Sequence, residues 1–480
     1  MKSIKPKIVW RKPKKRKVIK RVLESKVAMM ENADLSITQQ GIIYEPWIPY
    51  VRNAKNPKEE LLFLLKMAAE IEHALLIQYL YSAYSILDKD EKLRNVIIKV
   101  SIQEMGHFLS VQNLLISIGG LDAIHLHKDL VRPNSVRNPL PFRLEPISKT
   151  TLAKYVAVEA PPLIPSDLKE KMEEIEKIAF SAAGVRINPV GGLYMKLFWL
   201  FQKDDSPDPL MPITPSDEFE VGNHIKDEDF LNPETLIKLT GNRKDWNDAQ
   251  ALNQNSVIFN SITNRDSAKD IISKISTQGE GADFKTLDSH FEDFFSAYEN
   301  YDSMLIAKTY TNPINPVTIK NPEFGDNFNL ITNQYSLLWA GLLNKIYTSL
   351  LYDIYSIYFL KSVDATKSHA ITNLVFSSMR GVIPLISAIC FKLPLNGSDF
   401  SYDIEPRSGP TFEIDKDFLL PNSIADLKVK QINYMSNINE QTANIRNHSF
   451  IDTHKEKDEN VFTVLSLIDD YVSQKSQVFN

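Results

Sequence analysis

The sequence predicts a mainly α protein, and three observations carry that prediction. Sixteen glycines against 26 prolines, set beside long aliphatic runs, point to helices rather than to a β-sandwich. Leu61, Leu62, Leu65, Ala68, Ala69, Leu75, Leu76, Tyr79, Leu80 and Ala83 keep a helical period across residues 58–87. A second run, residues 91–118, stops at Gly119-Gly120, which is a good helix terminator.

Taken in order, residues 1–56 read as a basic, solvated tail followed by an irregular arm, Tyr44-Glu45-Pro46-Trp47-Ile48-Pro49. Asn56-Pro57 starts the first helix, with a capping side chain before a proline at the first helical position. Asp88-Lys89-Asp90 is the turn into the second. Residues 121–150 are proline-rich loop, and Tyr155-Val156-Ala157-Val158-Glu159 reads as a short extended or capping element before Pro161-Pro162. Ser166-Asp167 opens an acidic helix, and Asn188-Pro189 opens another over residues 190–202. Residues 203–265 form a long irregular insertion, long enough without structure to suggest a functional or mobile segment. Short amphipathic helices are expected at 268–276 and 288–298. Longer ones follow at 333–360, 369–391, 424–446 and 461–475. The division that results is tail and arm to 56, helical bundle 57–300, and a C-terminal helical region 301–480 packed on the bundle.

Composition excludes several classes. A net charge of −5 gives no general attraction for nucleic acid. The single cysteine, Cys390, excludes an intramolecular disulfide and fits a reducing, cytoplasmic compartment. No apolar stretch follows the basic N-terminus as in a signal peptide. The most apolar windows are interrupted by Asn344, Lys345 and Asp353, or by Arg380 and Pro384, so they read as core helices rather than membrane spans. The first 21 residues hold eleven Lys and Arg, but Trp10 is their only aromatic. No nucleic-acid partner is expected for them; an anionic surface or the chain's own acidic body is left open.

The chemistry lies in Glu104-Met105-Gly106-His107. Residues three apart project from one helix face, so carboxylate and imidazole converge. On the preceding helix Glu72 sits among apolar neighbours, where a bare carboxylate is costly unless paired, protonated or bound to metal. Pairing with Lys99 would be the bland explanation. A glutamate on one helix and E-x-x-H on the next is half of the carboxylate site that holds two metal ions in ferritin-like four-helix bundles. The remaining ligands are sought in Gln278-Gly279-Glu280-Gly281 and Ser289-His290-Phe291, with Asp288 and Glu292 in reserve. The helix opening at Asn188 offers no acid where one is expected. Tyr79, seven residues after Glu72 on the same face, is the candidate catalytic tyrosine; His73 points elsewhere and reads as packing. His125 and His127 read as solvated loop residues, and Tyr347, Tyr352, Tyr355 and Tyr358 as core with a substrate lining as the alternative.

These strings, with Val190-Gly191-Gly192-Leu193-Tyr194 and Gly409-Pro410-Thr411-Phe412-Glu413, occur in an order that resembles the iminophenyl-pyruvate dimer synthase family of bisindole pigment biosynthesis, over residues 58–415. The resemblance implies a ferritin-like domain and a metal-dependent oxidoreductase, haem-linked in some members, that couples amino-acid-derived imines. It assigns ligand roles to Glu72, Glu104, His107, Glu280 and His290. It departs at Gly192, where members tend to carry an acid, so an asymmetric site anchored on the first helix pair is expected. The function expected is an iron-dependent oxidoreductase of specialised metabolism, with one or two ions, manganese as an alternative metal, and an aromatic or amino-acid-derived small molecule as substrate. A degenerate non-catalytic scaffold and a haem oxidase are the competing readings, and a homo-oligomer is left open.

Overall fold

The computed structural model describes residues 7–11, 41–43, 47–88, 91–127, 139–161, 163–203, 224–242, 257–279, 289–306, 309–310, 313–320, 328–398, 405–448 and 459–479. Helix α1 (Pro57–Tyr84) begins where the Asn56 side chain accepts the Glu59 amide at 2.8 Å, with proline in the first turn. Helix α2 (Lys92–Gly119) ends at Gly120, whose φ of 68° is the left-handed conformation a glycine tolerates. The two helices pack side by side along their length. Helices α3 (Lys149–Val158), α4 (Lys169–Ala183), α5 (Gly191–Leu200), α6 (Pro233–Leu239), α7 (Arg265–Gly279) and α8 (His290–Glu299) follow. Of these, α3 and α8 pack on each other and complete a four-helix bundle with α1 and α2.

Helix α1 is buried on every side, which explains its nearly continuous apolar sequence. Its buried polar groups each find partners. Glu70 meets His125, Gln78 accepts the Arg143 amide, and Ser82 shares a hydrogen bond with Tyr155.

The bundle is covered by α9 (Gln334–Lys361), α10 (Ala365–Lys392), α11 (Ile424–Arg446) and α12 (Glu459–Phe479). The tyrosine stripe of α9 is mostly structural: Tyr355 donates to the Pro421 carbonyl at 2.7 Å and Tyr358 to that of Leu109 at 3.2 Å. The Gly409–Glu413 string also docks this region. Asn344 Oδ1 accepts from Thr411 Oγ1 at 2.7 Å and from the Glu413 amide at 2.9 Å. Helix α10 is long and apolar enough to span a membrane by composition, yet 61% of its most apolar window is buried in the protein.

Three elements differ from the sequence reading. Part of the basic tail is a strand: β1 (Lys7–Arg11) pairs antiparallel with β3 (Ile48–Arg52), and Ile8 and Trp10 are buried. Two apolar side chains among the cations suffice to dock it. Two more two-stranded sheets pair β2 (Gly41–Ile43) with β4 (Leu163–Pro165), and β5 (Pro316–Val317) with β6 (Asn329–Leu330). Second, Tyr155–Val158 is helical, not extended. The Ser148 side chain caps α3, and packing on α8 overrides the β preference of Val156 and Val158. Third, the described residues of the insertion include a helix, α6. Arg265 donates to the carbonyls of Phe201 (3.1 Å), Gln202 (2.9 Å) and Ile225 (2.8 Å), clamping both flanks of the segment. Residues 257–260 lie across α2. A Cβ at Gly106 would meet Val257 at 2.8 Å, so the middle of the E-x-x-H motif is a point of backbone approach. These segments pack at Gly106, Ser110 and Asn113, rather than against Glu104 and His107.

Candidate metal centre

Four bundle helices bring five buried ligand-type side chains together. Glu72 comes from α1, Glu104 and His107 from α2, Glu159 from the end of α3, and His290 from the first turn of α8. Glu104 is central. Its Oε2 lies 3.0 Å from His107 Nδ1 and its Oε1 3.1 Å from His290 Nδ1, so one carboxylate spans both rings. Glu72 Oε2 is 3.6 Å from His107 Nδ1, and Glu159 Oε1 is 3.9 Å from His290 Nδ1. The ring centroids of the two histidines are 5.2 Å apart. Ligand atoms of Glu104, His107 and His290 all fall within 4.8 Å of one another.

Around these lies a set of polar supports. Tyr79 donates to Glu159 Oε1 at 2.6 Å, and Tyr194 of α5 donates to Glu72 Oε1. Gln278 Oε1 stands 3.0 Å from His107 Nε2. A carbonyl oxygen only accepts, so it fixes the hydrogen on Nε2 and leaves Nδ1 to face the carboxylates once the ring is neutral. The end of α7 lies against Glu159, and a Cβ at Gly279 would meet Glu159 Oε2 in ordinary contact at 3.4 Å. Gln278 is the one partly exposed member of this group.

The electrostatics follow from burial and the alternation of sign. Burial opposes a charge on His107, but the Glu104 and Glu72 carboxylates outweigh it and raise the imidazole to about 10. His290 is raised to about 9 against the same burial cost, chiefly by Glu104. Burial would also raise Glu104, yet His290 and His107 hold it well below the usual carboxylate range. Glu72 has less compensation: burial first, then the charge of Glu104, pushes it up to about 8. Burial also raises Glu159.

Metal ligation is a sensible use of this donor set. His290 is completely buried; its Nδ1 faces the Glu104 carboxylate at 3.1 Å, and its Nε2 has no hydrogen-bond partner among the described residues. A buried imidazole held against carboxylates with one nitrogen unpartnered is a costly core arrangement and a suitable ligand once the ring is neutral. Three carboxylates and two imidazoles fit iron or manganese.

Several sequence expectations are thereby placed. Glu72, Glu104, His107 and His290 converge, and Tyr79 touches the cluster through Glu159. Glu280 and Asp288 lie outside the described residues. Lys99 is not the partner of Glu72; it pairs with Asp293 at 3.0 Å. His73 hydrogen-bonds Tyr347 on the far side of α1. The helix of Gly192 brings no acid to the cluster and delivers Tyr194 to Glu72, while a further buried acid, Glu159, stands one residue past α3. The missed signal was Ser148-Lys149-Thr150-Thr151, a helix cap ten residues before Val158.

Replacing Tyr194 by phenylalanine removes a support and no candidate ligand. Metal affinity is expected to fall about 10–100-fold, the usual effect of losing an outer hydrogen-bond partner, as read by competition with a chelating dye. Unchanged affinity would exclude Tyr194 from the support of Glu72.

The sequence profile of the ferritin-like family matches residues 65–305, half of the chain. The chain belongs to the ferritin-like family. A 2-imino-3-(indol-3-yl)propanoate dimerase of Chromobacterium violaceum is 28% identical over 139 residues, a match covering 23% of this chain and 14% of that relative. Family and relative agree with the resemblance to the iminophenyl-pyruvate dimer synthases. The chain thus matches only a small part of the relative's length. No solved structure matches it.

Proposed function

We propose that this protein is a metal-dependent oxidoreductase, iron being the preferred metal, that acts on an aromatic or amino-acid-derived small molecule. The observation that carries the reading is Glu104 spanning His107 and His290, with Glu72 and Glu159 flanking them inside a ferritin-like bundle. Glu159 answers the gap at Gly192, and this favours a working centre over a degenerate scaffold. Glu72, Glu104, Glu159, His107 and His290 would hold the metal; when bound, iron supplies oxygen or electron-transfer chemistry. Tyr79 acts as a hydrogen-bond donor that holds and orients Glu159. Burial and the charges of Glu159 and Glu104 keep its hydroxyl protonated well above the usual tyrosine range. Burial of all five ligand-type side chains keeps bulk water out, and Gln278, as the partly exposed member, marks the side from which a small molecule approaches.

The relative's name places an indolyl imine among the substrates to try. After supplementation with iron, elemental analysis is expected to show at least about one equivalent per chain, on the ligand count of a one- or two-ion site. The loaded protein is expected to consume an imine generated in place from an aromatic amino acid. Less than about a third of an equivalent of iron, manganese or zinc would overturn the metal reading.

Proton release offers a separate check. In the metal-free protein His107 at about 10, His290 at about 9 and Glu72 at about 8 are all mainly protonated at pH 7. Ligation requires their lone pairs, so metal displaces up to about three protons. Apparent affinity therefore rises with pH from 6 to 8, about tenfold per unit for each proton displaced. Titration in weakly buffered solution reads the release directly, and uptake with no proton release would contradict this site.

A further inference from the structure

The face of α1 and α2 that points away from the metal cluster borders a second, unrelated site. A cavity of about 400 Å³ lies between these two helices and α9 and α10. That is in the size range of small-molecule pockets, about 300–1,000 Å³. Glu72 and Tyr79 look toward the cluster, whereas His73, Leu76 and Leu80 of the same helix line the cavity. None of the five candidate metal ligands borders it.

The cavity offers a ligand apolar surface and no spare charge. Its depth is closed by buried Ile77, Leu109, Leu350 and Ile354, with Phe108 and Phe412. The rim is apolar as well: Leu80, Ile98, Ile102, Met105, Val257 and Met379 are all half-buried. His73 and Tyr347 hydrogen-bond each other. Two cations line the space, and both are engaged within the protein. Arg380 lies over the Phe376 ring, 6.0 Å from its centroid, and Arg94 has partners of its own. No aspartate or glutamate is among the described lining residues. Native cores hold few voids larger than a water molecule. Apolar cavities of less than half this size, about 150 Å³, already stay dry and take up apolar guests.

The backbone keeps the space open. Pro384 has no N–H to give the carbonyl four residues earlier, that of Arg380, and its ring would clash there in a regular helix. Helix α10 opens into one π-helical turn, Ser378–Val382, at this point. The wide turn sets Met379 at the rim, and such turns are frequent at functional sites. From the bundle side, Gly106 admits the segment that carries Val257 and Phe259 into the wall.

We infer that this cavity binds one uncharged molecule with a flexible aliphatic chain, held by burial and not by a charged anchor. Branched aliphatic walls with two adaptable thioethers, Met105 and Met379, conform to such a chain. A charged head would lose its water there beside cations that are already engaged. Equilibrium dialysis of the protein as purified against 1-octanol, 1-decanol and sodium decanoate reads the site by occupancy, with no need of added metal or turnover. Decanol is expected to bind saturably at one equivalent per chain. Its affinity is expected to exceed that of octanol by about fourfold for each added methylene, the gain from burying one. Decanoate is expected to bind at least about tenfold more weakly than decanol, because its charge must be desolvated. Met379→Trp and, separately, Ile102→Trp place an indole at the half-buried rim and are expected to abolish saturable binding, with circular dichroism reporting the fold. No saturable decanol uptake, decanoate bound as tightly as decanol, or undiminished binding in a folded tryptophan variant would each overturn the inference. Should neither variant fold, the stoichiometry and the preference for alcohol over carboxylate in the unaltered protein decide alone.

Discussion

Glu104→Ala is expected to reduce metal affinity at least about 100-fold, beyond the 10–100-fold typical of an outer partner, while leaving the helical circular dichroism in place. The magnitude follows from position. Glu72 and Glu159 each approach one imidazole, at 3.6 and 3.9 Å, but Glu104 approaches both, at 3.0 and 3.1 Å. Its loss removes the only carboxylate among the described residues that is shared by the two halves of the cluster, and leaves two histidines without their nearest described anion. Those histidines then deprotonate more easily, which limits the cost to the fold. Glu104→Gln keeps the shape and removes the charge, so it separates ligation from packing. Elemental analysis of the two variants beside the wild type measures the effect. Wild-type stoichiometry in both would place the metal elsewhere. Adding His107→Ala to Glu104→Ala is expected to change little more, because a site already emptied has no further metal to lose.

How much of this was legible in the sequence depends on the range of the interaction. Glu104 and His107 declare themselves because helix geometry alone puts them on one face, and Glu72 because a carboxylate among Ile71, Ala74 and Leu75 demands a reason. The long helices were readable from period, caps and Gly120. Glu159 was not. It stands one residue past a ten-residue helix that carries two valines and two threonines, which the Ser148 cap starts and packing on α4 and α8 holds. Tyr194 and Gln278 reach the cluster from α5 and α7, outside the four bundle helices, so no local pattern announces them. The strand at Ile8–Trp10 was hidden by the surrounding cations. The cavity was visible only as two interruptions, Arg380 and Pro384, that kept an apolar run from reading as a membrane span. In the folded chain those two residues shape one end of a pocket.

Lys475→Met is expected to destabilise the C-terminal helices by about 3–5 kcal/mol, the range for removing one member of a buried ion pair. Lys475 Nζ lies 2.7 Å from Asp353 Oδ1, and both side chains are fully buried. Tyr471 donates to Asp353 Oδ2 at 2.9 Å and Gln431 to Oδ1 at 2.9 Å, so the carboxylate is satisfied on both oxygens. The ammonium also donates to Ser349 Oγ at 2.5 Å. The cluster ties α9, α11 and α12 at one point, which is where the C-terminal region closes on itself. Burial lowers the lysine from its usual range and Asp353 pulls it back, so the cation depends on this partner. Methionine keeps most of the volume and removes the cation, leaving the Asp353 carboxyl group in the core with two neutral donors. Adding Asp353→Leu should recover part of the loss, since an apolar pair of similar size carries no stranded charge. Recovery stays incomplete because Tyr471 and Gln431 then lack their acceptor. Urea unfolding of the two single variants and the double variant, followed by circular dichroism, gives the coupling energy. A loss below about 1 kcal/mol for Lys475→Met would show that water or another cation reaches Asp353. It would also mean that these helices are held by their apolar faces alone.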